Sequence, residues 1–166
     1  MLSKRKRIVF GVLSLLLLWG VYAIASHRIS LPIAIAIQSN EERCLEANAM
    51  LLVRTQSAIN RGDWVAFEPF GALSYVKVPY VIKIVAGIPG DHLAIKHGAI
   101  LINGKQVASG LPDAPIFGKP ERYFEKNELI PNGEYFVLAT HPLSMDSRYW
   151  GYLKESQIQA HAYRLF

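Results

Sequence analysis

The sequence predicts a mainly antiparallel β domain carried behind one N-terminal transmembrane helix. Three observations predict it. Residues Ile8 to Ala25 form an apolar run without a charge, directly after Lys4, Arg5, Lys6 and Arg7. Beyond it, β-branched and aromatic residues recur in short stretches, some with a period of two, as half-buried strands require. Those stretches are separated by Asn103-Gly104, Pro89-Gly90-Asp91 and Pro131-Asn132-Gly133, which carry the backbone freedom and fixed φ of tight turns.

The apolar run comes first. Its 18 residues would rise about 27 Å as a helix, close to the thickness of bilayer hydrocarbon. The four preceding cations hold that end in the cytoplasm, and Trp19 and Tyr22 suit the far interface. The expected organisation is a basic tail over 1–7, an anchor over 8–25 and an exported domain over 26–166. Ala23-Ile24-Ala25 also resembles a small-x-small cleavage site, so a removed secretory leader is the alternative. Both readings place the rest of the chain outside the cytoplasm.

Ile33, Ile35 and Ile37 alternate with Ala34 and Ala36, which predicts a strand. Asn40 is a plausible N-cap, so a short helix is expected around Glu41 to Val53. Arg61-Gly62-Asp63 forms a turn into the strand Trp64 to Phe67. Tyr75 to Val85 favours strands, with Pro79 marking a sheet edge or a break. The hairpin Ala99 to Ile102, Asn103-Gly104, Lys105 to Val107 is the sharpest local signal. Residues 109–122 carry Gly and Pro and read as a loop, and Glu134 to Ala139 is a further strand.

The net charge of +5 does not indicate a nucleic-acid partner. Four of the 18 basic side chains lie in the first seven residues, and the other 14 nearly balance 13 acids. A near-neutral exported domain exerts little pull on phosphates. Cys44 is the single cysteine, so an intrachain disulfide and a thiolate-rich metal site are excluded. His27, His92, His97 and His161 lack metal-ligand spacing and are expected at the surface. No metal, nucleotide or organic cofactor is implied.

The chemistry points to Lys83. It stands inside Tyr80-Val81-Ile82-Lys83-Ile84-Val85-Ala86, on the strand face of Val81 and Val85. Burial there would disfavour the ammonium and leave an amine able to take a proton from a serine. The same lysine could instead lie on an edge strand and reach water.

Three segments resemble the signal peptidase I family of S26 serine peptidases. Val81 to Asp91 is similar to the family's lysine box: a Lys, a Gly four residues on, then Pro-Gly-Asp. Ser144-Met145-Asp146-Ser147-Arg148 is similar to its final Ser-x-Asp-Ser-Arg box. Gly62 to Phe67 is similar to the shorter box between nucleophile and lysine. Ser30-Leu31-Pro32 and His141-Pro142-Leu143 resemble the conjugative-transfer TraF-type branch, whose members process pilin precursors and in some cases cyclise them.

The resemblance implies a signal-peptidase-like β fold and a membrane-bound serine endopeptidase with a Ser/Lys dyad. Ser30 would be the nucleophile and Lys83 the general base, with Ser144 orienting the amine and Asp146 and Arg148 ordering the site. Asp146 and Arg148 are two apart, so they are expected to share a strand face and pair. The implied partners are the membrane and a pilin-like or signal-peptide-bearing precursor, met on the periplasmic side of a bacterial inner membrane. Arg28 stands two before Ser30, where the family often has a small polar residue. Three alternatives remain open: a general signal peptidase, an inactive membrane-anchored assembly factor, and a Ser-His-Asp arrangement through His141.

Overall fold

The computed structural model describes residues 13–22, 33–37, 49–54 and 57–165. It divides into two units, Met1–Pro32 and Ile33–Phe166. In the first, residues 13–22 are helical (α1), and the leucines, Trp19 and Tyr22 of this helix are exposed. Among the described residues no helix is long and apolar enough to cross a membrane. The span expected over 8–25 runs past both ends of that described stretch.

The second unit contains eleven strands among its described residues. Seven form one sheet in the spatial order Ile33–Ile37 (β1), Ala49–Val53 (β2), Ile158–Arg164 (β11), Trp64–Phe67 (β3), Val81–Gly87 (β4), Glu134–Leu138 (β9) and Leu153–Lys154 (β10). The other four are ordered Lys105–Ser109 (β7), Ala99–Ile102 (β6), His92–Lys96 (β5) and Lys126–Leu129 (β8). Every pairing with a stated register is antiparallel. The mainly β expectation therefore holds for this unit.

Local turn chemistry explains the parts read correctly. Asn103 and Gly104 have φ of 50° and 77°, so two left-handed residues close the β6–β7 hairpin with the twist its strands need. Gly90 has φ of 85°, a conformation that costs a side-chain-bearing residue and costs glycine little. Of the loop expected over 109–122, Ser109 ends β7, residues 110–120 carry the 3-10 turn Ala114–Phe117, and a second turn, Glu121–Phe124, closes it.

Several expectations are corrected. Ala49–Val53 is a strand, not the end of a helix, because β1 and β11 pair with it on both sides and bury Ala49, Met50 and Leu52. The rest of the expected helix, residues 41–48, lies outside the described residues. Pro79 does not mark an edge: β4 starts at Val81 and sits between β3 and β9. Residues 75–80 are not strand.

Strand alternation divides the core. Val65, Phe67, Val85 and Val137 belong to one apolar cluster with Tyr135 and Leu153. Ala66, Ala160, Ala162, Met50 and Leu52, from β3, β11 and β2, form another, with Ala66 facing away from Val65 and Phe67. A third joins Leu93, Ile95, Ile100 and Ile102 of the smaller sheet to Phe136, Leu138 and Tyr149. Gly87 lies at the irregularity where β4 meets β9. A Cβ there would come within 2.5 Å of Ile130 Cδ1 and 3.0 Å of Ile102 Cδ1, so the glycine permits close packing.

Candidate active site

Lys83 occupies the middle of β4, opposite Val65 of β3, and is only 1% exposed. Its face carries Val85, 1% exposed, and the register partner Val65 is fully buried. A lysine on an edge strand would reach water; this one, in a central strand, is enclosed. Its Nζ donates to Ser144 Oγ at 2.6 Å, and both side chains are buried. These residues lie 61 apart in sequence.

Ser144 is held by a built loop. Its N–H donates to the His141 carbonyl at 3.2 Å. The Arg148 guanidinium gathers the carbonyls around it: Nη2 donates to the Ser144 oxygen and the Pro142 oxygen, each at 3.0 Å, and Nη1 to the Gly110 oxygen at 3.1 Å. Arg148 is 3% exposed and Asp146 fully buried. They form a two-pronged pair, Nε to Oδ1 at 2.8 Å and Nη2 to Oδ2 at 2.9 Å. Burial opposes charge on Arg148, but the hydrogen bonds and proximity of Asp146 raise its pKa above the ordinary value. Such a pair gives geometric specificity, and breaking it would strand one buried charge.

The expected strand face for Asp146 and Arg148 is a correction. Asp146 is the N-cap of a short helix, Ser147–Trp150 (α2), and its Oδ1 accepts the Arg148 N–H at 3.2 Å. An Asp carboxylate satisfies an otherwise unpaired helix N–H, so the two side chains meet through a helical turn. Nor is the pair on the surface. Asp146 Oδ2 also receives the Ala139 N–H at 3.4 Å, and Ser147 Oγ receives the Val137 N–H at 2.9 Å, which ties the loop to the end of β9. The holding role of Ser147 was not read from the sequence, although the residue lies inside the final box.

The Pro89-Gly90-Asp91 turn is anchored separately. Asp91 accepts from Arg61 Nε at 2.7 Å, with a second contact from Arg61 Nη2. It also accepts from the Ile88 N–H at 2.9 Å and from Asn103 Nδ2 at 2.8 Å. The Arg61 hydrogen bond, with the others, holds the carboxyl at a pKa of about 2 despite its burial. Asp91 thus joins the turn before β3, the end of β4 and the β6–β7 hairpin.

Ser30, Arg28, His27 and Cys44 lie outside the described residues. His141 turns its Nδ1 to the Leu143 N–H at 3.2 Å. His92 and His97 are exposed as expected, but His161 is 6% exposed, a correction. It sits on β11 between β2 and β3, where two flanking strands enclose it. Among the described residues no group of His, Cys, Asp and Glu is arranged to hold a metal ion.

A family model described as signal peptidase, peptidase S26, matches residues 7–166. Two curated relatives are similar along much of the chain. A probable signal peptidase I-2 of Synechocystis sp. is 28% identical over 134 residues, 77% of this chain and 59% of that protein. A signal peptidase I of Bacillus caldolyticus is 32% identical over 133 residues, 69% of this chain and 67% of that protein. The crystal structure of a signal peptidase I from Enterococcus faecalis V583 is similar at 23% identity and a TM-score of 0.40, covering 64% of this chain and 98% of that one. The chain spans about three fifths to two thirds of the length of the curated relatives it matches.

Proposed function

The chain belongs to the signal peptidase, peptidase S26, family, and from that premise we propose that it is a membrane-anchored serine endopeptidase using Ser30 and Lys83. The observation that carries this reading is the enclosed Lys83 amine, 2.6 Å from the Ser144 hydroxyl. An amine in apolar surroundings favours its neutral form and can act as a base. In the proposed cycle Lys83 takes the Ser30 proton as Oγ attacks the scissile carbonyl. Lys83 then protonates the departing amine and afterwards activates the water that releases the acyl group. Ser144 holds the amine in line, while Asp146 and Arg148 hold Ser144.

The anchor belongs to the same proposal. The described helix 13–22 is apolar around its circumference, a pattern suited to lipid or to a protein core. The uncharged run containing it ends five residues before Ser30. A nucleophile tethered there would meet substrates as they leave the bilayer, on the periplasmic side of an inner membrane.

The finer reading is maturation of a pilin-like precursor in conjugative transfer, supported by Ser30-Leu31-Pro32 and His141-Pro142-Leu143. An amine of the substrate could replace water as acceptor and give a cyclic product. Mass spectrometry of the processed pilin tests this, and a linear product alone removes it. A second reading, general signal-peptide cleavage, is favoured by the names of the curated relatives; depletion that halts maturation of unrelated preproteins decides for it. The deciding experiment for the enzyme is co-expression with a membrane precursor. Ser30→Ala and Lys83→Met should each leave the precursor intact. Full processing by both makes the chain a non-catalytic assembly factor.

A further inference from the structure

The geometry points to a second nucleophilic centre, independent of the Ser30/Lys83 proposal: Ser57 activated by His161 and Asp63 for acyl transfer from small esters. His161 Nε2 lies 3.3 Å from Ser57 Oγ, and its Nδ1 lies 4.0 Å from Asp63 Oδ2. One ring nitrogen is thus within hydrogen-bond reach of a hydroxyl at 3.3 Å, and the other lies 4.0 Å from a carboxylate, a distance a small shift must close for a hydrogen bond. That order, carboxylate to imidazole to hydroxyl, allows a neutral imidazole to take a serine proton while the carboxylate stabilises the imidazolium that forms.

The three groups are placed by different means. His161 is fixed on β11, its register partners Val53 on one side and Val65 on the other. Asp63 is held by its own turn: Oδ2 accepts the Asn60 N–H at 2.8 Å, and its carbonyl accepts the Val85 N–H at 2.9 Å. Ser57 is exposed, so a small electrophile can reach Oγ. The base is buried, the orienting acid is half-buried and the nucleophile faces solvent. The register Lys83↔Val65↔His161 puts this centre two strands from Lys83 on the same face, a separation of about 10 Å at ordinary strand spacing.

The step balances with water as its co-reactant. With an ester, the Ser57 proton passes to His161 Nε2, and an Oγ–C bond forms. The bond from carbonyl carbon to the leaving oxygen breaks, and that oxygen departs with the proton from His161. Water then repeats the sequence and frees Ser57. With diisopropyl fluorophosphate the new bond is Oγ–P, the P–F bond breaks, fluoride leaves with the electron pair, and the Ser57 proton passes through His161 Nε2 to solvent.

The test uses the full chain carrying Ser30→Ala, so its outcome is separate from that of the dyad. It is treated with diisopropyl fluorophosphate, and the modified peptide is located by mass spectrometry. The label is expected on Ser57, with a labelling rate about 100-fold lower in His161→Gln, the lower range of a lost general base. A large drop is also expected in Asp63→Asn, which keeps the side-chain oxygen that accepts from Asn60. Hydrolysis of p-nitrophenyl acetate should fall in parallel and vanish in Ser57→Ala. An unlabelled Ser57, or equal labelling in Asp63→Asn and the parent, overturns the assignment. If His161→Gln fails to fold, Asp63→Asn carries the same decision.

Discussion

Replacing Lys83 with methionine separates the chemical role of the residue from any structural one. The two side chains are similar in length, so the apolar space around position 83 stays filled. The loss of the Nζ hydrogen bond to Ser144 Oγ costs about 1 kcal/mol, the usual net value of such a bond. That net value already includes taking the amine out of water at a site 1% exposed. Lys83→Met should therefore fold with stability within about 2 kcal/mol of the parent. Lys83→Arg behaves differently, because a guanidinium cannot shed its charge, so that variant should be less stable than Lys83→Met. Processing by Lys83→Met should fall about 100- to 10,000-fold with loss of the general base. Urea unfolding of the purified chains and single-turnover cleavage of a precursor measure the two effects on the same samples. A Lys83→Met chain that is strongly destabilised yet cleaves in proportion to its folded fraction would refute the reasoning, since the lysine would then be a strut.

Other predictions follow from neighbouring residues. Asp146→Ala strands the buried Arg148 guanidinium and should lower stability by about 3–5 kcal/mol, whereas the double variant with Arg148→Met should recover part of that loss; unfolding midpoints of the three chains check this, and no recovery would count against a coupled pair. Gly87→Ala presses a methyl group toward Ile130 and Ile102, which are 2% and 4% exposed, and should cost about 1–3 kcal/mol by overpacking. A pairing with Ile130→Val should relieve part of it. Asp91 has a folded pKa of about 2 against an ordinary 3.8. Its contribution is therefore complete above about pH 4 and lost as the pH falls toward 2. The size is at most about 2 kcal/mol, because Arg61 is half exposed and solvent weakens the pair. Unfolding midpoints of the parent should fall more steeply between pH 5 and pH 2.5 than those of Asp91→Asn, and parallel curves would contradict the assignment.

What the sequence made legible divides along the range of the interaction. The Asn103-Gly104 hairpin could be read because both left-handed residues and both strands lie within eleven positions. Ala49–Val53 could not, because the residues that make it a strand are in β1 and in β11, the latter more than a hundred positions away. Its Ala, Met and Leu are good helix formers, and long-range pairing overrides that preference. β11 itself escaped notice for the same reason. Lys83 was conspicuous as one charge in an apolar strand, yet its partner Ser144 came only through resemblance to a known family, since no local pattern links positions 61 apart. The pairing of Asp146 with Arg148 was read correctly from the wrong geometry. Two positions apart suits a strand face, but Asp146 is also a good N-cap residue, and the free N–H groups of a helix start decided the matter.

His161 shows why solvent exposure is the hardest of these properties to read. Histidine is found both inside and outside proteins, and its place is set by whether partners for both ring nitrogens can be brought to it. Here one segment, residues 57–63, brings the Ser57 hydroxyl to 3.3 Å from Nε2 and the Asp63 carboxylate to 4.0 Å from Nδ1. The same rule governs the enclosed part of the candidate site: Arg148 is buried because Asp146 and three carbonyl oxygens meet it. A polar residue in the interior is thus a statement about distant chain segments, and the segments that answer it fix where chemistry can occur.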